Sequence, residues 1–458
     1  MTLWKFLLIV NLAFVCPHRA AAHVSEQGFV LLLPTGAYIS AGVAVVAATV
    51  LSLFVIPDRL VQRLFSAREL SPVQAQGLTT VTSVLSLAAL CFVIYIGLFG
   101  SRDPLSNLMP LAFWTVGWIM LLSLGAFLGN LWIWLNPWMG LYRAIGPARP
   151  LMTLPASVGV WPATLTLLAF AAFLLADPAP DDPTRLAMLV AGYWCYVFAG
   201  LIVFGPAWCD QIELGHVLFR AFSKLAPLRL SAPAGIGGPG WQVVAQPACL
   251  AMGAFALMML GIGSFDGLNE TFWWLGVIGV NPLEFPGRSA VIVATLSGLL
   301  CSVFALFASF ALVVWLGLRI AAAKLRFLQA FGALALCVLP IALVYHIAHY
   351  LTAFMVGIQY TLAAVSDPFA TGADYLGLEP FRVTTGFFNR IDTVRLIWTA
   401  QAGLVVIGHV WSVLLAHRVA TDLIGSPRQA AFATLPLSIF MIAYTFLGLW
   451  LLAAPKGA

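Results

Sequence analysis

The chain reads as a succession of long apolar stretches separated by short polar connectors. Ten stretches, at about 35–56, 78–100, 108–132, 157–176, 186–207, 243–262, 289–318, 328–358, 396–416 and 431–453, are long enough to carry a helix across a hydrocarbon core of roughly 30 Å, at about 1.5 Å per residue. One run strains this count. From Leu328 to Val365 it is some 38 residues, well beyond the roughly 20 that a simple crossing needs. It reads either as a long helix kinked at Pro340 or as a span followed by a re-entrant piece.

Composition agrees with the pattern. Of 458 residues, 62% are hydrophobic and 9% charged, with a mean hydropathy of +0.99, and a soluble chain of this length could not hide that much apolar surface. The expected fold is therefore an all-α, polytopic membrane helix bundle of about ten transmembrane helices. Ahead of it, Lys5, the short apolar core Phe6 to Val15 and the small residues Ala20-Ala21-Ala22 read as a cleavable signal peptide over 1–22. That leaves 23–458 as a single transmembrane domain with His23 at its new N-terminus. The seven cysteines lie mostly within apolar runs and read as small hydrophobes.

Charge sets an orientation. Lys and Arg collect on the cytoplasmic side of a membrane protein, and alternate connectors hold Arg59, Arg63 and Arg68, then Arg143 and Arg149, then Arg220, Lys224 and Arg229, then Lys324 and Arg326, then Arg418 and Arg428. The intervening connectors carry the acids: Asp177, Asp181 and Asp182, then Asp266, Glu270 and Glu284, then Asp367, Asp374 and Glu379. This predicts a bacterial inner-membrane protein with both mature ends outside. Such short basic clusters between spans are topology signals, so nucleic acid is not an expected partner; the lipid bilayer is.

Ionisable groups in or beside the spans are costly there and mark candidate function. His346 and His349, three apart in the long eighth run, project from about the same face and can share a metal. His409 lies deep in the ninth run. If the eighth helix continues to about Val365, the three histidines reach similar depths and can converge on zinc or copper; His349 and His409 on facing helices also suit haem. Asp210, Glu213 and His216 recur every third residue. They form either one polar arc of an amphipathic surface helix or an acid/base pair of Glu213 and His216. Asp266 before Gly267 and Asp367 before Pro368 are ordinary turn formers that can also serve a site.

A string of motifs then adds a resemblance. Leu135-Asn136-Pro137-Trp138, Tyr142-Arg143-Ala144-Ile145-Gly146, Val160-Trp161-Pro162-Ala163, Asp181-Asp182-Pro183, Glu213 through Leu225-Ala226-Pro227, Phe265-Asp266-Gly267-Leu268-Asn269-Glu270-Thr271, Ala348-His349-Tyr350, Ser366-Asp367-Pro368 and Gly408-His409-Val410 run from about 120 to 420. Together they resemble the bacterial integral-membrane proteins known as fenitrothion hydrolases. The resemblance implies hydrolysis of an organophosphate triester, a lipophilic small-molecule substrate that partitions into the bilayer. It carries over Glu213, Asp266 and Asp367 as catalytic candidates and His349 and His409 as metal ligands, to which the shared helix face with His349 adds His346; a bound divalent ion would activate water. Two other classes stand as alternatives: a metal-ion or small-solute transporter, and a haem-carrying electron-transfer protein working with a second membrane subunit.

Overall fold

The computed structural model describes residues 28–71, 75–146, 150–231, 233–245, 249–281, 287–378 and 382–456. The expected signal peptide and His23 lie outside them. Among the described residues the chain is a multi-pass, all-α membrane protein. Nine helices are long and apolar enough to cross a bilayer, and they coincide with nine of the ten expected stretches. The remaining stretch forms a helix too, Trp161–Ala176, but its 16 residues rise only about 24 Å.

In chain order we name α1 Thr35–Ser52, α2 Asp58–Leu64, α3 Gln76–Phe99, α4 Leu108–Leu128, α5 Trp161–Ala176, α6 Pro183–Phe204, α7 Leu214–Phe222, α8 Leu250–Asn269, α9 Arg288–Ile320, α10 Phe327–Leu336, α11 Leu339–Ser366, α12 Ile391–Ile424 and α13 Pro427–Ala453. Three short strands, β1 Ala67–Glu69, β2 Leu228–Arg229 and β3 Gly235–Gly237, pair antiparallel in the order β1-β3-β2. They tie the connector after α1 to the one before α8 and so mark one end of the bundle, which carries Arg68, Lys224 and Arg229. The opposite end is tied by ion pairs: Arg102 to Asp182 at 2.9 Å and Lys456 to Glu270 at 3.2 Å. Arg68, Lys224 and Arg229 thus lie at the end opposite Asp182 and Glu270, and each end also holds charges of the other sign, Glu69 at the first and Arg102 and Lys456 at the second.

The overlong eighth run resolves at its proline. α10 ends at Leu336 and α11 begins at Leu339, with Pro340 in its first turn, where a missing N–H is harmless and the ring would otherwise clash with the preceding turn. α11 then continues unbroken for 28 residues to Ser366. A second departure from plain crossings is α7. It does not lie on a surface, since Leu214, Val217, Leu218, Phe219, Ala221 and Phe222 are all buried among the spans.

α8 and the Ala330–Leu336 part of α10 are mostly buried and form the centre of the bundle, with Phe255, Leu257, Phe265, Ala330 and Ala335 among the least exposed residues. Lipid is as apolar as a leucine side chain, so close packing rather than water exclusion joins helices here. Glycine allows it: a Cβ on Gly253 of α8 would stand 2.5 Å from the backbone oxygen of Gly332 on α10. Gly253→Ala should therefore destabilise the protein by about 1–3 kcal/mol through overpacking that no side-chain rotation relieves. Thermal unfolding in detergent checks this, and an unchanged midpoint would refute it.

Candidate functional site

α8 brings two carboxylates to one face near its acidic end, because Asp266 and Glu270 are four residues apart. α11 passes them in mid-helix: Asp266 stands three residues before the end of α8, whereas His349 stands seventeen before the end of α11. His349 Nε2 lies 3.1 Å from Asp266 Oδ2. Tyr350 donates its hydroxyl to the same oxygen at 2.5 Å. Glu270, exposed at the helix end, accepts from Lys456 Nζ at 3.2 Å. One ligating atom from each of Asp266, Glu270 and His349 lies within 4.8 Å of the other two, with Asp266 buried and His349 half-buried.

These residues suit a divalent ion in kind, since imidazole and carboxylate together are zinc donors. They fit in spacing after a small contraction. Bonds of about 2.0–2.2 Å separate tetrahedral ligand atoms by roughly 3.3–3.6 Å, a distance the exposed Glu270 side chain can close by rotation. Lys456 competes for the same carboxylate, so the cluster already holds one cation against its two acids.

His346 turns away from this cluster. Its Nε2 donates to the Trp118 carbonyl at 3.0 Å, and its ring meets the Trp118 indole edge-on. That carbonyl belongs to a π-helical stretch of α4, Leu111–Leu121, a winding rare enough to mark functional sites. Trp118, His346, His349, Tyr350, Tyr345 and Asp266 wall a cavity of about 40 Å³, room for about one to three waters. His409 joins neither group: its Nδ1 donates to Val405 O of its own helix at 2.8 Å. The three histidines expected to converge therefore take three separate partners, although α11 continues far enough to have allowed it. Side-chain direction decides this, not depth.

Asp367 closes a turn at the end of α11, accepting from the N–H of Thr371 at 3.0 Å and of Gly372 at 2.6 Å. Its slight desolvation is outweighed by these donors, which hold its carboxyl below the usual range. Glu213 sits far along the chain from Asp266, as the N-cap of α7. It is 1% exposed and receives Gly215 N–H at 2.7 Å, His216 N–H at 2.6 Å, Trp132 Nε1–H at 2.9 Å and Tyr193 O–H at 3.2 Å. Four donors fill a carboxylate's acceptor positions. His216 pairs instead with Asp210 at 3.1 Å, and that bond lowers the Asp210 carboxyl. A cavity of about 310 Å³ lies on the other face of α8 between Ser264, Ser302, Ser309 and Tyr444, away from Asp266.

Sequence reading singled out Asp266 and His349 separately but missed Tyr350, Lys456 and the role of Glu270. The four-residue spacing of Asp266 and Glu270 was the available signal. The six described cysteines are free, Cys209 and Cys337 buried and the other four exposed. No family model, curated protein or solved structure matches the chain.

At the basic end Lys224 is buried beside Arg220 and Arg229; burial first, and then these two guanidiniums, push its ammonium down to about 8. An unfolded lysine keeps its proton to about 10.4, so between these values the unfolded chain binds more protons and stability rises with pH. The unfolding midpoint should climb from pH 8 to 10, less steeply in Lys224→Met. Equal slopes would contradict it.

Proposed function

We propose that this chain is an inner-membrane, metal-dependent hydrolase of lipophilic phosphotriesters, working at Asp266, Glu270 and His349. The observation that carries the reading is the meeting of three ligand-type side chains where two spans cross. Acids and imidazoles are costly in such a setting and are kept for function. The substrate class comes from the resemblance to the fenitrothion hydrolases, whose Phe265-Asp266-Gly267-Leu268-Asn269-Glu270 and Ala348-His349-Tyr350 motifs supply all three residues. On the charge pattern of its connectors, the acidic end faces outward.

A divalent ion at this cluster supplies a water whose pKa falls from 15.7 toward about 7. The chain's own groups do the rest. Tyr350 holds the Asp266 carboxylate in place through its hydroxyl, as outer-shell donors commonly do. Glu270 is the exposed member, so it faces the approaching ester and is placed to take a proton. A neutral, apolar triester would arrive through the bilayer. Lys456 neutralises Glu270 in the metal-free state and must release it.

Purified protein in nanodiscs, loaded with zinc and given a chromogenic phosphotriester, tests this. Asp266→Asn and His349→Ala should abolish both turnover and bound zinc. Tyr350→Phe should cost about 10–100-fold in metal affinity or rate, and Lys456→Met should tighten zinc binding by removing its competitor. Turnover that survives in Asp266→Asn would sink the assignment.

A further inference from the structure

The polar groups in the basic half of α12 have no place in the candidate site, yet several lack protein partners. His409 Nε2, Ser412 Oγ and His417 Nδ1 on α12, with Asp58 Oδ1 on α2, are buried atoms without a hydrogen-bond partner. His409 and Ser412 are fully buried and His417 is 2% exposed. Leaving one such group unsatisfied costs about 1–3 kcal/mol, so three on α12 with a fourth beside them on α2 call for a shared reason.

They form a line. By helical rise Ser412 lies about 4.5 Å beyond His409, and His417 about 12 Å beyond it. His417 Nε2 then stands 3.8 Å from Asp58 Oδ1, whose side chain is 18% exposed at the basic end. In the other direction the His409 ring stands 6.4 Å from that of Tyr444 on α13, and the Tyr444 hydroxyl bonds Ser264 of α8. One turn further, the Cβ position of Gly448 is 3.2 Å from the Tyr345 ring. Tyr345 and Lys456 line a cavity of about 10 Å³ toward the acidic end, the size of a single water. The charged and titratable groups that face the line are Asp58 from α2, Arg418 of α12, which pairs with Asp422, Tyr345 from α11 and Tyr444 from α13.

The chemistry of His409 suits transfer. A carbonyl only accepts, so the bond to Val405 O places the proton on Nδ1 and leaves Nε2 as a bare lone pair. We propose that α12 carries a water-bridged proton line from Tyr444 through His409, Ser412 and His417 to Asp58. At His409 a protonated water gives its extra proton to Nε2, an O–H bond breaking as the N–H bond forms, and Nε2 passes it on to the next water; Ser412 Oγ takes up one proton as it releases its own, and His417 takes one at Nδ1 and releases one from Nε2 to Asp58. No electrons are exchanged and no oxidant is needed. Buried chains of acids, histidines and hydroxyls serve this purpose in membrane proteins. The line shares no ligand with the metal cluster and stands whether or not the hydrolase reading does.

The test is proton flux into phosphatidylcholine–phosphatidylglycerol vesicles that hold the full chain and a pH-sensitive dye, driven by a valinomycin potassium potential. Wild type should acidify the lumen faster than protein-free vesicles do. His409→Phe and His417→Phe should lose all protein-dependent flux, and the milder Ser412→Ala and Asp58→Asn should slow it, which covers the case where a bulky variant misfolds. Thr434→Val removes a hydroxyl that bonds only its own helix and should conduct as wild type does. Wild-type flux no greater than that of empty vesicles overturns the proposal, as do histidine variants that conduct normally or a Thr434→Val variant that loses flux equally.

Discussion

Hydrocarbon offers no hydrogen bonds, and this one constraint governs what the chain can do with its few polar groups. A carboxylate or imidazole carried into the bundle must find a partner inside the protein or in water the protein encloses. Asp266 is the sharpest instance. Its Oδ2 receives both His349 and Tyr350, so one carboxylate joins the acidic end of α8 to the middle of α11. Glu213 obeys the same rule in a structural role, four donors closing around it so that α7 can begin inside the bundle.

The two carboxylates differ in what is left over. Glu213 has spent its acceptor positions on backbone and ring donors that fix a helix start. Asp266 shares its surroundings with a second acid four residues on, an imidazole, a phenol and an ammonium, within reach of a water-sized cavity. The first arrangement is closed and the second has room to change partners. A site that exchanges a proton or an ion needs that room, and here it lies where α8 ends and its last turn meets the connector.

Much of this architecture was legible in the sequence, because a span needs only an uninterrupted apolar run, and such runs survive any packing. Even the break between α10 and α11 was announced by a run too long to be one crossing with a proline inside it. The site was legible only in part. Asp266 and His349 each stood out as ionisable residues in apolar company, but their meeting depends on how far α11 slides past α8, which no spacing within either helix encodes. The same reason separated the three histidines. His346 and His349 do share a helix face, yet one faces α4 and the other α8, while His409 turns to its own backbone. Lys456 was invisible because it lies near the end of the chain, 186 residues from Glu270, with no motif around it.

The proposed site is defined by its ligands, and X-ray absorption of the zinc-loaded protein reads them directly. Zinc at Asp266, Glu270 and His349 should show one imidazole with carboxylate or water oxygens at about 2.0–2.2 Å, and the bound zinc should be lost in Asp266→Asn. A shell of two or three imidazoles, a thiolate, or no stoichiometric zinc at all would contradict it.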